Sequence, residues 1–414
     1  MADARERRLP VWGWWIIVGA VHVAVFGPLA FRAEYRRDEF VGPNLFRAHT
    51  IFTGFVFDDW WRPATPGYLW QVTARSFTEL LRSTDLRLGG VIATCCFYAL
   101  FGIAIFEVFR RVTLPIRPLA PAWAAVASVV IALLESPAAI GGWSAFQEGR
   151  IFLPLYLPYA PTTIGSLGLN VLLLLLVSEL IEGRLPRRRW WSVALIVVLA
   201  TIAKPTMAPL LVAVVLGYAA IAGVSHRPRL GLEDDGGGDR ASWADLLRLV
   251  VLPAIIILIP QYLVTASKVQ YPGTAYDDRG GWTIHPFAEL RDLNGLTVLF
   301  WLALLFPIVA MVVARREMWR DAAIRVALLA AGIGLVGTVL LERTGSVWKG
   351  DMLQLPEAAI GLLLVFMPRR ALDLRRAGLL GAAATVALLV ALAPYVVAGT
   401  MSWSCHVGLG CPTG

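Results

Sequence analysis

Apolar runs of about 20 residues recur along this chain, and short clusters of arginine lie between them. A run of that length lets an α-helix rising ~1.5 Å per residue cross the ~30 Å hydrocarbon core of a bilayer. Inside lipid the backbone must satisfy its own hydrogen bonds, so only helices and closed barrels span it. The runs here are continuous rather than alternating, which argues against a strand-built barrel. The sequence therefore predicts an all-α fold, a polytopic transmembrane helical bundle. With 57% hydrophobic and only 16% charged residues, it sits far from a soluble chain, which carries about 25% charge.

The net charge of +8 comes almost wholly from arginine, since Lys204, Lys268 and Lys349 are the only lysines. Most arginines fall in short clusters between runs, the pattern that marks cytoplasmic loops. The charge is thus a topology signal, and no nucleic-acid partner is expected. Counting loops this way gives about eleven spans, with a cytoplasmic N-terminus (1–10), a membrane domain (11–399) and an outer tail (400–414). The expected location is the inner (plasma) membrane, as a multi-pass protein with an extracytoplasmic C-terminus. The first run is read as a retained span rather than a cleaved signal, as no convincing A-x-A site follows it.

The expected spans begin with Val11–Phe31, Leu88–Phe109, Ala122–Ile140 and Thr162–Ile181. Two short runs, Trp190–Ala203 and Thr206–Val224, flank a Lys204-Pro205 turn. Leu246–Ala266, Leu296–Ala314, Ile324–Leu341, Met352–Met367 and Ala377–Gly399 complete the series. The outer loops are 32–87, 141–161, 267–294 and a turn at 342–351, and 225–245 is a polar cytoplasmic linker. In the first loop, Asn44–Gly54 and Tyr68–Ser83 are predicted as helices on the membrane surface. Leu69, Val72, Phe77 and Leu80 give the second of these an apolar stripe at near-helical spacing.

The candidate chemistry lies in the outer loops. Asp38, Glu39, Asp58 and Asp59 could serve as a general base on an acceptor hydroxyl. Asp38 ranks first, because it follows the end of the first span most closely. The competing reading is that these acids neutralise the arginines of their own loop. Lys204 stands in the most apolar half of the chain, where an ionised group is costly unless paired or hydrated. A phosphate or pyrophosphate at the lipid surface would suit it; snorkelling, or a pair with Glu135, is the competing reading. Arg343, Lys349 and Asp351 form a charged turn in which the two cations can grip phosphate oxygens, the arginine as a bidentate fork. Arg150 is a further phosphate candidate. Glu148, His285 and Trp348, among aromatic residues, suit a sugar face or a lipid headgroup, and equally suit an interfacial belt.

Other chemistries find no support. There is no Walker motif, no HExxH and no G-x-S-x-G. No Cys/His cluster or other convincing ligand set for a metal is visible, and no cofactor is expected. Cys95 and Cys96 lie inside a span, whereas Cys405 and Cys411 fall in the outer tail, where a small disulfide loop is expected.

The layout resembles the GT-C superfamily of polytopic glycosyltransferases, which use lipid-linked sugar donors. There the first outer loop follows the first span, folds as surface helices and carries the catalytic acid, as the stretch from Arg36-Arg37-Asp38-Glu39 to Arg82 would here. The sequence is also similar to bacterial GT-C-like proteins in which an N-P-T-T-I run, an A-K-P-[ST] turn and an R…N-F-x-W segment recur in this order. Here those places hold Ala160-Pro161-Thr162-Thr163-Ile164, Ala203-Lys204-Pro205-Thr206 and Arg343 through Ser346-Val347-Trp348. Ala160 replaces the Asn, and Ser346-Val347-Trp348 replaces N-F-x-W. The resemblance implies a polyprenyl-phosphate-sugar donor, a glycan, lipid or protein acceptor at the outer face, Asp38 as base, and Lys204 and Arg343 on the donor phosphate. A transporter or flippase of an anionic lipid-linked substrate is the alternative, disfavoured by the lack of a clear internal repeat. A non-catalytic membrane scaffold is a third reading.

Overall fold

The structure, a computed structural model, describes residues 9–35, 68–111, 121–134, 161–204, 208–224, 240–266, 282–286, 321–343 and 380–407, with 309, 359, 362–364, 375 and 378. These residues fold as a helical bundle. Five helices are long and apolar enough to cross a membrane: Val11–Tyr35, Leu86–Arg111, Ile164–Ile181, Trp243–Pro260 and Ala382–Met401. Three shorter apolar helices, Pro121–Ala132, Ala208–Ile221 and Ala322–Gly334, accompany them.

In chain order, α1 is Val11–Tyr35, α2 is Tyr68–Leu80, α3 is Leu86–Arg111 and α4 is Pro121–Ala132. The helix α5, Pro161–Ile181, is followed by a 3₁₀ turn at Arg187–Arg189 and by α6, Trp190–Ala203, and α7, Ala208–Ile221. A short α8, Trp243–Leu246, runs through a π turn, Leu247–Val251, into α9, Leu252–Ala266. Strand β1, Trp282–Ile284, precedes α10, Ala322–Leu340, which passes directly into β2, Leu341–Arg343. The last helix, α11, is Ala382–Val407.

Pairwise contacts fix the directions. Trp15 reaches Glu107, and Gly27 packs on Cys95, so α1 and α3 are antiparallel. Gly165 and Gly168 pack on Phe97 and Phe101, and Arg111 reaches Glu179, so α3 and α5 are parallel. Arg325, near the start of α10, meets Glu182 just past the end of α5 and Tyr218 in the last turns of α7. The bundle therefore has a basic end, where α3, α5 and α7 finish and α10 starts. Its opposite, loop end is where α1, α6 and α10 finish and α3 and α5 start.

At the centre is α5, whose span is 94% buried. Around it α1, α9 and α11 turn Trp12, Ile16, Ile256, Ile259, Leu389 and Val390 outward. Large apolar side chains exposed on span-length helices are what contact with lipid tails requires.

The basic end is pinned by ion pairs. Arg110 donates to both oxygens of Glu107, at 2.9 and 2.7 Å, and Trp15 Nε1 donates to Glu107 Oε1 at 2.7 Å. Arg111 links Glu107 to Glu179 across to α5, at 3.3 and 3.1 Å. A second cluster joins Arg325, Glu182 and the Tyr218 hydroxyl, which donates to Glu182 at 2.9 Å. Charges this close to hydrocarbon are held in pairs, as their desolvation demands.

Several elements depart from the sequence reading. The described helix at 121–134 ends at Ala132, short of Ile140. Residues 135–140 lie outside the described residues. The π turn was not foreseen. It precedes Pro253, and the Leu252 N–H bonds the Leu247 carbonyl five residues back, which gives the proline ring room. The last helix runs to Val407, so Met401–Val407 is helical and Cys405 lies in that helix; Cys411 is outside the described residues. The two short strands were also unforeseen. The stripe of α2 is visible with Val72 and Leu80 exposed and Leu69 and Phe77 half-buried, but the face packed on protein is a different one: Trp70, Gln71, Ala74 and Thr78.

Candidate functional site

The loop end is built first by the junction of α1 and α3. Ser83-Thr84-Asp85 precedes the apolar run of α3, and Asp85 behaves as a helix N-cap: its Oδ1 accepts the Arg87 backbone N–H at 3.0 Å. The same oxygen accepts Arg87 Nε at 3.0 Å, and Oδ2 accepts the Tyr35 hydroxyl at 3.1 Å. The Arg87 guanidinium lies 4.9 Å from the Tyr35 ring centroid. The Arg87 hydrogen bond, against an opposing effect of burial, holds the Asp85 carboxyl below its ordinary range. Glu34, the residue before Tyr35, is buried.

Across this junction lies α2. Trp70 Nε1 donates to Thr94 Oγ1 at 3.0 Å, and the Thr78 hydroxyl donates back to the Ala74 carbonyl at 2.9 Å. Gly89 of α3 is the point of closest approach. A Cβ there would run into the Thr78 hydroxyl and the Ala74 carbonyl, so only glycine admits α2 at this depth. α2 thus has three faces: Trp70, Gln71, Ala74 and Thr78 toward the protein, apolar residues outward, and Arg75 with Glu79 (2.8 Å) between. It also touches α5 and α6. The segment 36–67 leaves the described structure at Tyr35 and returns at Tyr68, and both of its ends are tied to α3. Asp38, Glu39, Asp58 and Asp59 all fall within that segment, outside the described residues.

Lys204 caps α6. Its φ of −152° and ψ of 89° leave the helix, while its N–H still bonds the Ala200 carbonyl at 2.9 Å. The following Pro205 disfavours helical geometry at Lys204, so helix and lysine end together. Ala200, Thr201 and Ala203 are buried and Lys204 is half-buried. At ~1.5 Å per residue the 14 residues of α6 span only about 21 Å, less than the ~30 Å hydrocarbon core.

The strands bring two distant stretches together. Trp282, Thr283 and Ile284 pair antiparallel with Arg343, Glu342 and Leu341. The pairing continues as the His285 N–H bonds the Leu340 carbonyl at 3.0 Å, at the end of α10. Arg343 is therefore strand, not part of a free turn, and His285 is exposed beside it. Two candidates from separate loops are thereby placed together.

Lys204, His285 and Arg343 are the proposed site residues that the structure describes at this end. Glu148, Arg150, Trp348 and Lys349 lie outside the described residues. Among the described residues no group of three or more His, Cys, Asp or Glu side chains could hold a metal ion. The sequence reading missed Tyr35, Asp85, Arg87, Trp70 and Gln71. The Ser-Thr-Asp run before an apolar stretch is a helix-start signature that would have marked Asp85.

No family model matches the chain, and no curated protein matches it. Among solved structures, it is similar to the apo form of the oligosaccharyltransferase of Archaeoglobus fulgidus, at a TM-score of 0.38 and 16% identity. The match covers 97% of this chain and 57% of that one, so the chain corresponds to little more than half that protein's length.

Proposed function

We propose that this membrane protein is a glycosyltransferase of the GT-C type. It moves a sugar from a polyprenyl-phosphate-linked donor to an envelope glycan, lipid or protein acceptor at the loop end of the bundle. The observation that supports this reading is the gathering at one end of Lys204, Arg343, His285 and both attachments of the acid-bearing segment 36–67. These residues come from four separate parts of the chain, and the arginine-rich termini of α3 and α5 are at the other end.

In this reading a carboxylate of the 36–67 segment, Asp38 first, accepts the proton of the acceptor hydroxyl as its oxygen attacks the anomeric carbon. The bond from that carbon to the lipid phosphate breaks with inversion, and the phosphate leaves as an anion. Lys204 and Arg343, with Lys349 and Arg150, offset the charge that develops on it, which low dielectric makes more effective. Glu148, His285 and Trp348 are the candidates for recognising the sugar or the acceptor. In this reading Lys204, at the end of the short helix α6, meets the phosphate at headgroup depth while the isoprenoid tail lies in the bilayer.

The test is turnover of the purified protein in lipid with a panel of polyprenyl-phosphate sugars, alongside Asp38→Ala and Lys204→Ala. Sugar loss abolished by both substitutions supports the assignment. Turnover that survives Asp38→Ala shifts the base to Glu39, Asp58 or Asp59. No turnover with any donor, together with Lys204-dependent movement of lipid phosphate across the bilayer, overturns the transferase in favour of a flippase.

A further inference from the structure

At the basic end, away from the proposed site, the turn between α5 and α6 forms a compact cationic corner. The Arg184 N–H bonds the Glu179 carbonyl at 2.7 Å and closes the end of α5. Leu185 is fully buried, and its carbonyl accepts Trp190 Nε1 at 3.1 Å. The Arg187 guanidinium lies 5.7 Å from the Trp190 ring centroid. The turn is thus anchored from below while Arg184, Arg187, Arg188 and Arg189 are all exposed, next to Trp191 at 65% exposure.

A second element brings more positive charge to the same place. The Ala241 N–H meets the Leu180 carbonyl at 3.4 Å, which sets exposed Arg240 against the end of α5. A Ser242–Asp245 capping box starts α8, and Trp243 Nε1 bonds the Val224 carbonyl at 2.9 Å. The π turn that follows packs on α6 and carries Arg248. Arg248 is exposed on a helix that faces lipid: only 17% of that span is buried, and Leu247 and Leu252 beside it are about half exposed. An arginine there must extend its guanidinium to headgroup level. Among the described acids at this end, Glu182 pairs with Arg325 and Asp245 closes the capping box, while Glu179 bonds Arg111 and also interacts with Arg184 and Arg189.

We propose that this corner is a seat for the headgroup of an anionic phospholipid, in the leaflet at the basic end. Arg187, Arg188 and Arg189 approach the phosphate from the aqueous side, Arg248 from the lipid side, and Trp191 lies at the interface. The chemistry recognised is a phosphate monoanion attached to acyl chains, and the lipid-facing position of Arg248 is what selects a membrane lipid over a dissolved anion. The seat is independent of the transferase reading, because it involves neither end of the 36–67 segment.

The test is the thermal midpoint of the full chain in detergent micelles, titrated with phosphatidylglycerol, with phosphatidylcholine and with inorganic phosphate. Phosphatidylglycerol should raise the midpoint, and the other two should not. Replacing Arg187, Arg188 and Arg189 by Gln should weaken the apparent affinity about fivefold per arginine, of the order of a hundredfold in all. Arg248→Gln should weaken it about fivefold, and it serves as the readout should the triple variant not fold. An equal rise with phosphatidylcholine, an equal rise with inorganic phosphate, or affinities unchanged in Arg248→Gln would each overturn the proposal.

Discussion

Asp85 shows how much one capping residue can organise. It joins the end of α1 to the start of α3 through Tyr35 and Arg87, and so fixes where the 36–67 segment departs. Its carboxyl is held below the ordinary value of 3.8, chiefly by the Arg87 hydrogen bond. A depressed carboxylate contributes stability that is fully present above the unfolded-state value and is lost as the pH falls through the folded one. Asp85 and Arg87 are both substantially exposed, so the contribution is small. The midpoint difference between the wild-type chain and Asp85→Asn should be constant above about pH 5 and shrink below the carboxylate range. Thermal melts across that range check it; a difference that grows with acid would show that Asp85 is not the ionised partner. The sequence carried the sign of this residue in Ser83-Thr84-Asp85, but its partner Tyr35 lies 50 positions away, and no local pattern announces such a contact.

At the scale of the elements, legibility followed the physics of each signal. Long apolar runs made α1, α3 and α5 readable to within a few residues, because lipid imposes both their length and their composition. The Lys204-Pro205 break between α6 and α7 was readable because proline acts on its immediate neighbours. Which side of a helix meets protein was not readable, since in a membrane apolar side chains face lipid and small residues mark the protein contacts. The crossing of α1 and α3 is an example. There the His22 ring lies directly on Gly102, its Nδ1 paired with the Val18 carbonyl at 2.9 Å. Helix propensity alone would have Gly102→Ala stabilise α3 by about 1 kcal/mol. The contact reverses the sign: a Cβ at 102 strikes the imidazole, and overpacking should cost about 1–3 kcal/mol. In a His22→Ala background the same substitution should cost much less, and a double-mutant cycle on thermal midpoints measures that coupling. Equal effects in both backgrounds would mean that the helices do not meet at this pair.

For the molecule as a whole, the ion-paired basic end and the described site candidates lie at opposite ends, while Arg32, Arg75, Arg82 and Arg87 belong to the loop end as well. The paired arginines of α3 and α10 and the exposed arginines of the 184–189 turn belong to one end. Lys204, the strand pair and the attachments of the 36–67 segment belong to the other. The sequence shows the 184–189 cluster directly, because arginines gathered in a short loop between apolar runs stand out whatever the fold. It could not anticipate that β1 and β2 would bring His285 and Arg343 together, since three-residue strands leave no periodic trace. This separation of ends has a direct consequence for accessibility. In a variant with Cys95, Cys96, Cys405 and Cys411 replaced, a single cysteine at Ile284, which is 81% exposed, should react with a membrane-impermeant maleimide on intact cells. One at the exposed Arg188 should react only after permeabilisation. Labelling of both from the same side would break the alternation of α5, α6 and α10, and the grouping of Lys204 with Arg343 would fall with it. Labelling from opposite sides would put the cations of the loop end and the arginine corner on opposite sides of the membrane.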